Sequence, residues 1–279
     1  MIESLLVLRR RWGLVVAVAL ANLCASSVAI APWSEAVRGG GLSAFPDPDA
    51  ALFAEGGMLF VEWLRVDGVA LLAALKASLW LGAVAALACL LPAALLLVGL
   101  ADRERLSATR HGRRVFALLP ALSVLFGATL LCQALLVLLS VLLWGLCLSA
   151  ADPGAYPWLT LALGLLVLLS WGLPSLFQDL TRAVIVGRDT PLLAALSGAF
   201  RLLVTEPVQI LTAYLVPAAL GWLVAAACLG LTALLARQKP PELADWSNFG
   251  LHQACMLLLV ALRAYWLTRA LHLAAPRLR

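Results

Sequence analysis

The sequence predicts an all-α, polytopic transmembrane bundle of six spans. Three observations carry this. Of 279 residues, 63% are hydrophobic and 13% are charged, whereas soluble domains run near half apolar and a quarter charged. Six apolar segments are long enough to cross the ~30 Å hydrocarbon layer. The loops between them alternate in charge, as expected when export machinery holds Lys and Arg on one side.

The spans fall at about 12–30, 72–99, 122–149, 158–177, 208–235 and 251–270, judged by apolar length. Arg9, Arg10 and Arg11 precede the first span and assign the N-terminus to the cytoplasm. Ala29-Ile30-Ala31 resembles a signal cleavage site, but Pro32 follows it directly, so we read a retained helix. Gly13, Ala17, Ala21, Ala25 and Ala29 are spaced four apart. They form a stripe of small residues that lets another helix approach closely.

Residues 32–68 form the largest loop, acidic and placed outside, with turns at Gly39-Gly40-Gly41 and Pro46-Asp47-Pro48. Its second half, from Ala51 to Leu64, predicts an amphipathic helix on the outer surface. The second and third apolar blocks exceed the bilayer. Lys76 is accommodated by snorkelling to the outer interface. Pro92 predicts a kink, and Pro120 a break between an interfacial turn and the third span. Between them Arg103, Arg105, Arg110, Arg113 and Arg114 make the most basic loop.

The segment 178–207 predicts an inner interfacial pair. The fourth helix continues to Val186 with Gly187 as its cap. Thr190-Pro191 then caps and opens a second helix, whose Leu192, Leu193, Leu196, Phe200 and Leu203 share the membrane-facing side. Pro207 opens the fifth span, and a loop at 237–250 precedes the sixth. Segments assigned to the inside hold fifteen Arg, against four Lys or Arg in the external loops. Both termini are therefore expected to be cytoplasmic.

The pI of about 9.1 and net charge of +5 do not imply nucleic acid. The basic residues gather beside apolar spans, where they set orientation and attract lipid headgroups. Six cysteines lie in apolar runs without CxxC or Cys/His spacing, so they read as packing residues with no disulfide, metal or other cofactor. The eighteen Arg against two Lys, with abundant Ala and Leu, point to a GC-rich bacterial genome. The expected site of action is the bacterial inner membrane.

From Gln178 onward, Asp179, Arg182, Val186, Ala194-Ala195, Phe200-Arg201 and Pro207 stand in a pattern that Gln253 and Arg263 extend. Through these residues the chain resembles a group of uncharacterised bacterial six-helix membrane proteins. That group is distantly similar to the membrane domain attached to some glycerophosphodiester phosphodiesterases. Here Asp179-Leu180-Thr181-Arg182 stands where the group more often has an aromatic and a small residue beside the Asp. The resemblance implies a topology and no activity, and none of the residues that carry it belongs to a phosphodiesterase catalytic domain.

Few residues suggest chemistry. Arg263 lies inside the sixth span, where an unpaired Arg costs about 2.5–3.5 kcal/mol. It must snorkel, pair or line a polar cavity. Asp179 and Arg182 are three apart and can meet on one helix face. A second possibility pairs Asp179 with Arg263 and so ties spans four and six. Gln133 can hydrogen-bond across helices, and Arg201 lies on the inner helix. Ser170, Ser175 and His252 lack the GxSG context of an intramembrane protease.

The expected role is a non-enzymatic, transport-related or membrane-assembly component, in contact with lipids and with other membrane subunits or copies of itself. The alternative is the permease of an ATP-binding-cassette-type transporter with a separate ATPase, since no Walker A sequence occurs. An intramembrane enzyme is the remaining reading.

Overall fold

The structure, a computed structural model, describes residues 2–39, 58–102, 108–150, 156–238 and 241–275. Among the described residues there are eight helices and no strand. These are α1 (Ile2–Arg10), α2 (Trp12–Gly39), α3 (Met58–Ala101), α4 (Ala108–Ala150), α5 (Tyr156–Arg188), α6 (Leu192–Thr205), α7 (Pro207–Gln238) and α8 (Pro241–Ala274). Six of them are long and apolar enough to cross a membrane, and α6 is a shorter apolar helix. Lipid offers backbone groups no partner, so spans that satisfy their own hydrogen bonds are the expected solution.

Several boundaries differ from expectation. Helix α2 runs through Pro32 to Gly39, so residues 32–39 of the predicted outer loop are helical. The predicted outer-surface helix is not separate where it is described. From Met58 its residues are the first turns of α3, a single helix of 44 residues and about 66 Å at 1.5 Å per residue. Residues 51–57 of that prediction lie outside the described residues. The Glu62 carboxylate and the Arg65 guanidinium pair at 2.6 Å on this early stretch, an i,i+3 contact that favours continued helix. Helix α4 passes Pro120 without a break, and α8 begins at Pro241 rather than near 251. Proline suits the first position of α7 and α8, where its missing N–H would be unpaired anyway.

The junction after α5 also differs. Gly187 remains helical and Arg188 ends the helix. Asp189 takes the left-handed turn at φ 48°, which Asp tolerates better than bulkier residues. Pro191, not Thr190, is the N-cap of α6. The Thr190 hydroxyl instead donates to the Val184 carbonyl at 3.4 Å.

The chain divides into two compact units. One is Ala17–Leu91, the other Met1–Val16 with Pro92–Arg279. In the smaller unit, part of the small-residue stripe packs. Ala21, Ala25 and Ala29 are half-buried, and a Cβ added at Gly82 of α3 would meet the Ala29 methyl at 3.7 Å. The Cys89 thiol donates to the Ala21 carbonyl at 3.6 Å. Gly13 and Ala17 are exposed instead, while Val15, Val18 and Ala19 turn inward. The stripe is therefore not one continuous face, because at 100° per residue a strict four-residue spacing drifts around the helix.

In the larger unit α5 is central. It packs against α4, α6 and α8, while α7 pairs with α8 and α1 lies on α8. Every residue from Gln178 to Val186 is buried. A helix covered on all sides needs neighbours that can come close. Ala195 and Ala199 of α6, with Ala264, Ala270 and Ala274 of α8, are buried and small. A Cβ at Gly198 would stand 3.3 Å from the Val184 methyl.

This end of the unit also gathers arginines onto helix C-termini. Arg114 donates to the Val186 carbonyl at 2.8 Å, Arg188 to Ala274 at 2.6 Å, and Arg11 to Asp102 at 3.2 Å. Terminal carbonyls have no partner within their own helix, and a cation there also complements the helix dipole. Arg114 further pairs with the carboxylates of Asp102 at 2.7 Å and Asp189 at 3.1 Å. We call this the arginine-rich end.

Candidate functional site

Asp179 closes the polar end of a cavity between α5, α7 and α8. The helix register sets its partners. Arg182 is one turn further along α5, and Arg263 and Trp266 are one turn apart on α8, so each pair shares a face. The Asp179 carboxylate accepts from Arg263 at 3.1 Å and Arg182 at 3.5 Å through Oδ1. Through Oδ2 it accepts from the Trp266 indole at 3.2 Å. Asp179 itself is 3% exposed. A carboxylate so buried persists as an ion only when paired and hydrogen-bonded.

Tyr214 of α7 completes the arrangement. Its ring meets the Trp266 ring edge to face, with centroids 5.3 Å apart, a favourable aromatic geometry. Its hydroxyl donates to the Gly172 carbonyl at 3.5 Å.

The cavity measures about 430 Å³. Trp171 and Ser175 of α5, Pro217 and Trp222 of α7, and Leu259 and Leu262 of α8 line it above the charged cluster. On α5 the lining ends at Asp179 and on α8 at Trp266. Beyond that level Leu180, Ala183, Leu267, Ala270 and Leu271 are buried. The arginine-rich side of the cavity is therefore a packed floor.

Gln133 of α4 does not line the cavity but supports its wall. Its amide donates to the Ser175 hydroxyl at 2.9 Å and to the Trp171 carbonyl at 3.0 Å. The Ser175 hydroxyl in turn donates to Trp171 at 2.8 Å. Nearer the other end of the same pair of helices, the hydroxyls of Ser140 and Ser170 lie 3.4 Å apart. These contacts give α4 and α5 a polar seam of the kind that holds helices together in lipid.

Of the sequence candidates, the structure brings together Asp179, Arg182 and Arg263, with Gln133 one contact behind. Lys76 and Arg201 belong to neither the cluster nor the cavity, and both are exposed. Reading the chain as a string missed Trp266 and Tyr214, and set Ser175 aside because it lacks a GxSG context. Two of these three carried a signal. Trp266 is one turn from Arg263, and Ser175 is one turn from Asp179, so each shares a face with a candidate already chosen. Tyr214 had none, because its place depends on how α7 docks.

Among the described residues no three His, Cys, Asp or Glu side chains gather to hold a metal ion. No protein-family model, curated protein or solved structure matches the chain, so its role rests on this geometry.

Proposed function

We propose that this multi-pass membrane protein is a non-enzymatic, transport-related or membrane-assembly component that works through binding at the α5–α7–α8 cavity. One observation carries this reading: a paired charge cluster faces a cavity that a packed floor ends on the arginine-rich side. Beyond the cluster the residues are buried, with Thr181, Arg182 and Thr268 among the Leu and Ala, and a lined hollow with charged groups at its base suits a bound molecule.

The chemistry of the cluster also favours binding. The Asp179 carboxylate already accepts from two guanidiniums and an indole, so its oxygens are engaged by fixed partners and not aimed at a substrate proton. Among the described residues the Ser175 hydroxyl hydrogen-bonds to no side-chain base and spends its proton on the Trp171 carbonyl. An activated nucleophile needs the opposite arrangement.

The bacterial inner membrane, with both termini cytoplasmic, is the placement that accords with the charge of the loops. Lipids and other membrane subunits, or further copies of the chain, are the partners this reading requires. It accords with the resemblance to bacterial six-helix membrane proteins. Cross-linking in native membranes before extraction tests it. We expect adducts with a membrane subunit or a second copy. A chain that cross-links to nothing, and whose loss leaves membrane transport and assembly intact, would sink the reading.

A second reading has its own observation. Helix α6 packs inward through Ala195 and Ala199 and turns Leu193, Phe200 and Val204 outward. Such a helix between two spans suits docking of a separate ATPase, as in a permease. Recovery of an ATPase with the wild-type chain but not with Phe200→Glu would favour it.

A further inference from the structure

The charges of the cluster at the base of the cavity do not balance. Two guanidiniums, Arg182 and Arg263, face one carboxylate, which leaves a surplus of one positive charge. The Trp266 indole spends a third donor on the same carboxylate. Excess cation at a poorly solvated site is costly unless an anion answers it.

Arg263 is the group free to take that anion. It reaches Asp179 through Nη2, and 55% of its side chain remains exposed. Arg182 is nearly enclosed, at 11%. A guanidinium has five donors in a planar fork that fits phosphate or carboxylate oxygens in pairs.

The walls and the level of the site narrow the choice. Above Arg263 the lining is aromatic and aliphatic. Trp171 and Trp222 are 58% and 66% exposed, so the cavity opens on the lateral surface of the helices, where a membrane offers lipid rather than water. No charged residue occurs at 158–178 of α5, 208–235 of α7 or 251–262 of α8. On the other side of this level α5 carries Arg182 and Arg188, and α8 carries Arg269. Arg263 and Asp179 are thus the first charges met on leaving the apolar zone. A lipid phosphate sits at that boundary.

We propose that the cavity binds one phospholipid with a net anionic headgroup. Its phosphodiester monoanion meets Arg263 and an acyl chain runs along Trp222 and Leu259. This inference rests on the membrane-binding reading above and names its ligand class. One phosphodiester cancels the surplus charge. A zwitterionic headgroup carries its own cation and leaves the surplus in place.

Native mass spectrometry of the full chain, released from detergent, tests this. The probes are phosphatidylglycerol and phosphatidylcholine with identical acyl chains. We expect one phosphatidylglycerol to be retained at a concentration at least tenfold lower than phosphatidylcholine. Arg263→Gln should remove that preference. Ala218→Phe, which fills the cavity and leaves the ion pairs intact, should weaken retention about tenfold. Millimolar inorganic phosphate should not displace the lipid.

Equal retention of the two lipids by the wild-type chain overturns the proposal, whether or not either variant folds. So does retention unchanged by Ala218→Phe. Displacement by inorganic phosphate makes the site one for a free anion and overturns the lipid assignment. Loss of lipid preference with subunit cross-links intact overturns this inference alone. Loss of the cross-links with lipid preference intact overturns the proposed role alone.

Discussion

The two halves of α5 are one helix with opposite surroundings. From Trp158 to Leu169 the residues are almost all Leu, Ala and Val, and Trp158, Leu161, Leu165, Leu168 and Leu169 are exposed. From Gln178 to Val186 the chain contains Gln, Asp, Thr and Arg, and every residue is buried. In water the order would be reversed. Lipid is as apolar as Leu, so an apolar half has no drive to leave it. A polar residue in that zone does have one, because only other helices supply its partners. Polarity, not apolarity, marks the interior here.

The largest expected effect breaks this contrast at Asp179. Asp179→Leu leaves buried Arg182, and Arg263 at the cavity base, without their shared counterion. Removing one partner of a buried ion pair costs about 3–5 kcal/mol, enough to abolish most folded protein. Thermal unfolding in detergent, followed by size-exclusion, reads it directly. The matching change in the exposed half, Thr160→Leu, removes a hydroxyl that donates to the Tyr156 carbonyl of its own helix. It should fall within about 0.5 kcal/mol of wild type. A charge exchange sharpens the point: Asp179→Arg with Arg263→Asp should recover more folded protein than either single change. Equal losses in all three variants would show that the pair does not tie α5 to α8.

Glycines give a second, smaller contrast. Gly198 of α6 faces Val184 in the buried half of α5, where an added Cβ already comes within 3.3 Å. Gly198→Leu should cost about 1–3 kcal/mol by overpacking. Gly164, in the exposed half, has nothing within 4 Å of a Cβ. Gly164→Ala should therefore stabilise by about 0.5–1 kcal/mol, the usual helical gain over glycine. Unfolding midpoints that move the same way at both positions would contradict the assignment of one half to helices and the other to lipid.

The class of fold was legible because it depends on segment length and loop charge, which are properties of the string. Boundaries were not. Pro32 and Pro120 marked expected breaks, yet α2 and α4 continue through them. A helix in lipid has no water to rescue a broken turn, so continuing past a proline costs less than ending there. The described part of the expected outer-surface helix, from Met58, is continuous with α3. An apolar face at Met58–Leu64 fits the first turns of a long helix as well as it fits a separate one. At the site, Asp179 and Arg263 were legible as charges out of place in apolar surroundings. Tyr214 was not, since nothing at its own position distinguishes a wall residue from one facing lipid.

Arg114 tests whether the buried half is held at its end. Its guanidinium joins the last buried carbonyl of α5, at Val186, to the carboxylates of Asp102 and Asp189. Arg114→Ala should cost about 1–2 kcal/mol, the upper range for a cation at a partly buried helix C-terminus. Arg114→Lys should recover part of this, because a point charge serves the dipole but cannot reach three acceptors as a planar fork does. Hydrogen exchange should rise at 183–189 in Arg114→Ala and stay unchanged at 158–169. Uniform exchange along α5 would mean that its two halves open together.

The smallest effect belongs to Gln133, which lies between the two regimes. Its amide joins α4 to α5 at Ser175 and Trp171, just before the buried stretch begins. Hydrogen bonds between helices in lipid average about 0.6 kcal/mol, and the Ser175 hydroxyl keeps its bond to Trp171 when Gln133 is lost. Gln133→Leu should therefore lower stability by about 0.6 kcal/mol and leave the fold intact. Its value is as a boundary marker. Nearer the exposed end, Ser140→Ala removes the 3.4 Å contact with Ser170 and should cost no more than Gln133→Leu. If Ser140→Ala were the more damaging, the polar seam would matter most in the half where exposed Leu and Val face lipid. Burial and polarity would then not rise together along α5.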